Sequence, residues 1–85
     1  MQIIIHKSFL KMYVKHPIKV QKKFKESRNI FLKDVFDTRL NNHKLKGKWF
    51  GYRSINITGD YRAIFREDTA IVTFVAIGTH SQLYT

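Results

Sequence analysis

The sequence has no cysteine, few acids and no long apolar run. Without cysteine there is neither a disulfide framework nor a thiolate metal site, which fits a reducing compartment. No apolar stretch approaches the ~18 residues of a membrane-spanning helix, so no membrane association is expected. The opening residues, Met1-Gln-Ile-Ile-Ile-His-Lys, lack a basic region followed by an apolar stretch. They are read as no leader, and a cytoplasmic location is the expectation. Phosphate-binding glycine loops, dinucleotide fingerprints, zinc-binding His/Glu spacings and nucleophile elbows are all missing. The histidines (His6, His16, His43, His80) lack metal-like spacing, so neither a metal nor a cofactor is expected. Internal repeats and low-complexity tracts are absent too. A single domain spanning residues 1–85 is expected.

The scarcity of acid leaves a large positive excess. Sixteen Lys and Arg face six Asp and Glu, a net charge of +10 on 85 residues. Self-repulsion at that density is best tolerated when the usual partner is a polyanion or an acidic protein, and nucleic acid is the first expectation. The hydrophobic fraction of 44% is that of a folded domain rather than a disordered chain. A chain this short buries only roughly 60–65% of its unfolded surface, so its core is small.

Gln2 to His6 reads as a first strand. Ser8 is positioned to cap a short helix through Phe9, Leu10, Met12, Tyr13 and Val14. Lys15-His16-Pro17 breaks that helix, because proline disfavours the helical conformation for the residue before it. A second helix is expected from Pro17 to about Phe36. Val20, Phe24, Phe31 and Val35 recur at helical spacing, with Leu32 and Phe36 widening the stripe. Its lysines form either a solvated face or an RNA-contacting one. Asp37 to Lys48 reads as the one real loop and carries His43, Lys44, Lys46 and Lys48. Strands follow at about Trp49–Ile57, Asp60–Arg66 and Ala70–Ile77, separated by turn signals. Alternation puts Tyr52, Ser54 and Asn56 on one face of the first, and Gly51, Arg53, Ile55 and Ile57 on the other. The run from Ala70 to Ile77 is apolar on both faces and should be a central strand. His80 to Thr85 is a short tail or helical turn. The fold class is α+β, in the order β-α-α-β-β-β, with a helical hairpin packed on one face of a small, mostly antiparallel sheet.

What remains for chemistry is a set of His, Asp and Tyr side chains in a basic surface. That set suits metal-free RNA cleavage. The 2′-hydroxyl attacks the adjacent phosphorus, a base takes its proton, an acid protonates the departing 5′ oxygen, and cations steady the phosphorane. His80 is the leading candidate, since imidazole titrates near neutrality; its structural alternative is an inert strand-end histidine. Asp60 follows Gly59, where aspartate is also common for local turn reasons. Tyr84, four residues after His80, shares its side of a helical turn and either serves the site or closes the core. His43 is a second acid–base candidate or a solvated loop residue. Arg53 is a candidate phosphate clamp or a snorkelling strand arginine. Tyr61 offers a surface for an unstacked base or a core ring. Arg62, Lys46 and Lys48 complete the candidate RNA-binding set.

The stretch Leu45-Lys-Gly-Lys-Trp-Phe-Gly-Tyr-Arg and the segments Gly59-Asp-Tyr-Arg and Gly78-Thr-His-Ser-Gln-Leu-Tyr resemble the RelE/ParE toxin superfamily, in particular the YafQ branch of bacterial type II toxin–antitoxin systems. The resemblance implies a microbial RNase-like fold and an mRNA interferase acting on the ribosome. It also implies a free monomer restrained by an acidic cognate antitoxin. By matching position it gives catalytic roles to His80 and Asp60, an aromatic site role to Tyr84 and a loop-histidine role to His43. Tyr61 stands where a relative has tryptophan. Asn56 stands where one has a further histidine, and an amide there can only position. A ParE-like inhibitor of a DNA topoisomerase (gyrase) would share the fold without RNA chemistry, and an inert nucleic-acid-binding remnant is the third reading.

Overall fold

A computed structural model describes residues 1–84. The elements run β1 (Gln2–Ile5), α1 (Lys7–Tyr13), α2 (Ile18–Lys33), β2 (His43–Lys44), β3 (Arg53–Thr58), β4 (Tyr61–Asp68), β5 (Ile71–Thr79) and α3 (His80–Tyr84), with 3-10 turns at Thr38–Leu40 and Gly47–Trp49. They form a five-stranded sheet in the order β1-β5-β4-β3-β2. β1 runs parallel to β5, and the other pairings are antiparallel. The expected class and the central position of the last strand hold. The expected loop instead contributes a fifth strand, the two-residue β2. Its sequence is polar, and pairing of His43 with Ser54 and Lys44 with Arg53 holds it there.

α1 and α2 lie on one face. Phe9, Val20, Phe24 and Phe31 from the helices meet Ile55, Ala63, Phe65, Val72, Phe74 and Ile77 from the strands. Phe74 is the hub: its ring centroid lies 5.3 Å from Phe65, 5.4 Å from Phe24, 5.8 Å from Phe31 and 6.0 Å from Phe9. Such tilted and edge-on pairs add stabilisation beyond simple area burial. Gln21 ties the corner between the helices by donating to the carbonyls of Tyr13 and His16.

Three local expectations are corrected. α2 stops at Lys33 rather than Phe36, because Asp34 is extended and its carboxylate accepts from Phe36 N–H. Leu32 and Phe36 are therefore exposed rather than part of the buried stripe. Ser8 does not cap α1: the cap is His6, whose Nδ1 accepts from Ser8 N–H, while Ser8 Oγ donates to Val75 O at 2.7 Å. Strand β3 begins at Arg53, after the turn at Gly47–Trp49.

That Ser8 bond satisfies a bulge. Ile64 pairs with Ala76 but Phe65 pairs with Phe74, leaving Val75 as an extra residue in β5. A bulge of one residue reverses which side chains face which side. Phe74 and Ile77 both reach the helical face, while Ala76 packs on the other face with Ile64, Leu45 and Leu83. That second, thinner layer is covered by α3 and the Gly47–Trp49 turn. Trp49 Nε1–H donates to Leu83 O at 2.8 Å across it.

Phe74→Ala should cost about 3–5 kcal/mol, much of the total stability of a domain this small. Denaturant unfolding should show a collapsed midpoint for Phe74→Ala and a retained cooperative transition for Phe74→Leu. A small loss in Phe74→Ala would contradict the hub role.

Candidate active site

Side-chain alternation builds the site on the face opposite the helical hairpin. His43, Ser54, Ile64 and Ala76 lie in one row across the strands, and Asn56, Arg62 and Gly78 in the next. α3 crosses above these rows and buries Leu83 on them. Gly78 permits this close return: a Cβ there would meet Gln82 Oε1 at 2.8 Å.

α3 is held by a reciprocal cap. Thr79 Oγ1 accepts from Gln82 N–H at 3.2 Å, and Gln82 Oε1 accepts from Thr79 N–H at 2.9 Å. This is the capping-box pattern of Thr followed three residues later by Gln, and it was legible as Thr79-His-Ser-Gln82. It sets His80 as the first helical residue. His80 N–H donates to Asp60 O at 3.1 Å, joining α3 to the β3–β4 turn.

A pocket of about 270 Å³ opens beside α3, lined by His43, Lys44, Lys46, Ser54, Arg62, His80 and Tyr84 among others. The His80 and Tyr84 rings are 4.6 Å apart and tilted by 42°. His43 Nδ1–H donates to Asn41 O at 2.7 Å, so the neutral ring keeps a bare Nε2. Arg62 Nη1 donates to Gly59 O and Tyr61 O, which fixes one end of the guanidinium on the turn. Burial pushes the Tyr84 phenol up from its ordinary value, while Ser54 and, behind it, the Arg62 charge pull it down. Ser54 Oγ is buried and makes no hydrogen bond of standard geometry, so its closeness to Tyr84 is proximity rather than a formed bond. A buried hydroxyl left this way costs roughly 1–3 kcal/mol, and Ser54, like Lys44 and Leu45, is a lining residue outside the candidate set. Its signal was present, since alternation had placed it beside Asn56.

The structure brings His43, Lys46, Arg62, His80 and Tyr84 together. It sets the other expected residues elsewhere. Asp60 is exposed in the β3–β4 turn and reaches His80 through its backbone carbonyl. Arg53 is on the helical face with Ile55, its Nε donating to Asn42 Oδ1 at 2.7 Å and its guanidinium 5.5 Å from the Phe36 ring. Tyr61 also packs toward the helices, edge-on to His16 at 5.3 Å. Lys48 lines a neighbouring cavity, its Nζ 5.8 Å from the Trp49 ring. Arg53 and His80 therefore do not share one surface. Among the described residues no cluster of His, Asp or Glu is arranged to hold a metal ion.

The same architecture recurs in solved toxins. The chain superposes on YafQ from E. coli strain BL21(DE3) with a TM-score of 0.81 at 22% identity, covering 99% of this chain and 98% of that one. YafQ in the E. coli DinJ-YafQ toxin-antitoxin complex gives 0.78 at 24% identity, covering 99% and 97%. A YoeB/ParE toxin from Agrobacterium tumefaciens gives 0.76 at 19% identity, covering 94% and 99%. Identities this low establish the fold alone. No curated protein matches the chain. The fold is thus that of the small toxins of type II toxin–antitoxin systems. A family model described as "Bacterial toxin of type II toxin-antitoxin system, YafQ" matches residues 1–85, and the chain belongs to that family.

A difference titration of wild type against Tyr84→Phe, followed by phenolate absorbance, should yield one ionisation with its midpoint above 10. The raised value follows from burial disfavouring the phenolate. A midpoint at or below 10 would show an open, solvated ring.

Proposed function

We propose that this toxin is a metal-independent endoribonuclease that cleaves mRNA on the ribosome, in the cytoplasm. We propose further that the free toxin is a monomer held in check by an acidic cognate antitoxin. The observation that carries the reading is the convergence of two imidazoles, a phenol and an arginine in one lysine-lined pocket.

His43 Nε2 takes the proton of the RNA 2′-hydroxyl, and the 2′ oxygen attacks the adjacent phosphorus. The phosphorus–O5′ bond breaks as protonated His80 gives its proton to O5′. The products are a 2′,3′-cyclic phosphate and a 5′-hydroxyl, and solvent restores both imidazoles. Arg62 and Lys46 balance charge on the phosphorane, a form of stabilisation that strengthens as the transition state develops. Tyr84, kept protonated at neutral pH, donates to a phosphate oxygen or packs against a base, and it fixes the His80 ring by contact. Asp60 acts as a positioning residue through its carbonyl. This differs from the catalytic role that family resemblance gives it. The DinJ antitoxin bound to E. coli YafQ supports an antitoxin for this chain as well. A charge of +10 supports its acidity.

The test is purified protein with mRNA, with and without translating ribosomes, in EDTA for the free-RNA arm, with end chemistry mapped. Cyclic-phosphate and 5′-hydroxyl ends are expected. His80→Ala should remain folded and lower cleavage by roughly two or more orders of magnitude, the range of general acid–base catalysis. Asp60→Asn, which keeps the carbonyl, should cost less than about tenfold; a loss as large as that of His80→Ala would make its carboxylate the proton-transfer group. Absence of cleavage in both arms, with inhibition of DNA supercoiling by a topoisomerase, would replace the ribonuclease with a ParE-like inhibitor.

A further inference from the structure

On the far side of α3 from the proposed catalytic pocket lies a second cavity of about 410 Å³, lined by Trp49, Tyr52, Arg66, His6, Gln82 and Leu83 among others. We infer that it is a second nucleotide subsite, in which one base of single-stranded RNA stacks on Trp49 while its phosphate meets Arg66. The inference rests on the RNA-directed reading above and extends it to a nucleotide flanking the scissile linkage.

Three observations converge on that ligand. The indole is fixed before anything binds, by the Nε1–H bond to Leu83 O and by a T-shaped contact with the Tyr52 ring at 5.4 Å and 79°. It is nonetheless only partly buried, at the wall of an open cavity. A base stacked on a fixed aromatic ring gains roughly 1–3 kcal/mol whatever its identity.

Charge at the cavity matches a phosphate. Among the described residues no carboxylate side chain lines it, and exposed Arg66 has no ion pair. His6 engages Ser8 through Nδ1, leaving Nε2 as its other polar atom at the cavity.

The third observation is register. Arg62 and Arg66 project from the same face of β4, with buried Ile64 between them, as strand alternation requires. Their Cα atoms are separated by about 13 Å, from four residues at about 3.3 Å each. One arginine stands in each cavity with α3 lying between. A single strand crossing α3 would meet a cation on either side, and an aromatic ring on either side as well, Tyr84 in one and Trp49 in the other.

Trp49 is the protein's single tryptophan, so its emission reports on this cavity. The probe is a short 2′-O-methyl oligoribonucleotide, which lacks the attacking hydroxyl and so cannot be cleaved by the proposed route. Saturable quenching of Trp49 emission is expected. Arg66→Ala, a substitution at an exposed site, should weaken binding about tenfold, the worth of one charge-assisted hydrogen bond. It should also reduce the slope of log K against log salt by about 0.7, the loss of one phosphate contact to a single strand. The subsite is overturned if the oligonucleotide binds by anisotropy without altering Trp49 emission, or if it does not bind. Unchanged affinity and salt slope in Arg66→Ala would overturn it equally. Quenching by an acidic peptide but not by the oligonucleotide would make the cavity a protein-docking site and overturn it too. Quenching with the Arg66 dependence but no mRNA cleavage would leave the subsite standing and remove the ribonuclease.

Discussion

Phe74 presses against Phe9, Phe24, Phe31 and Phe65, and the rest of the molecule takes its position from that contact. Four aromatic rings on three other elements must reach one residue of β5. The sheet therefore carries both helices on one side, and its opposite side is left with a thin cover. Val75 makes the arrangement possible. Its extra place in the strand lets Phe74 and Ile77 both face the helices, while Ala76 supports α3. The carbonyl displaced by the bulge is not orphaned, because Ser8 donates to it. A buried carbonyl without that partner would cost roughly 1–3 kcal/mol.

The division between faces also separates stability from chemistry. Ile55, Ala63 and Phe65 on β3 and β4 face the helices, while Ser54 and Arg62, each one residue away, line the basic pocket. Arg53 and Arg62 show how much the face matters. Both are strand arginines in a strongly cationic protein, yet one braces Asn42 and the Phe36 ring and the other lines the cavity with His80. Low dielectric and fixed dipoles make charges inside a pocket worth more than the same charges on an open face. Net charge alone says little about which cations matter.

Much of this was readable in the chain. The helical stripe of Val20, Phe24 and Phe31, the three-stranded meander and the central β5 follow from periodicity. Alternation on the first meander strand already placed Arg53 opposite Ser54 and Asn56, so its separation from His80 was implicit in the spacing. Reading Arg53 as a phosphate clamp overlooked that parity. The parity of Tyr61 with Ala63 and Phe65 carried the same message. The bulge at Val75 was not legible, since every residue from Val72 to Ile77 apart from Thr73 is apolar and either register looks acceptable. β2 was hidden because two polar residues have no strand signal of their own; the neighbouring strand imposes it. The Leu32 and Phe36 error arose because periodicity gives no warning of where a helix stops, and the extended Asp34 ends it early. The capping box was written plainly as Thr79 and Gln82, but a five-residue helix gives no periodicity to draw attention to its start.

Gly78 carries a genetic consequence. A methyl group at that position would collide with Gln82 Oε1, the far end of a flexible side chain, rather than with backbone or core. The sheet has room to keep its form while Gln82 swings away from Thr79 and α3 loses its lock. Such a position lets one small substitution act on the candidate site without touching the core. A single-base change from a glycine to an alanine codon would leave the core of the sheet intact with the His80 end of it set loose.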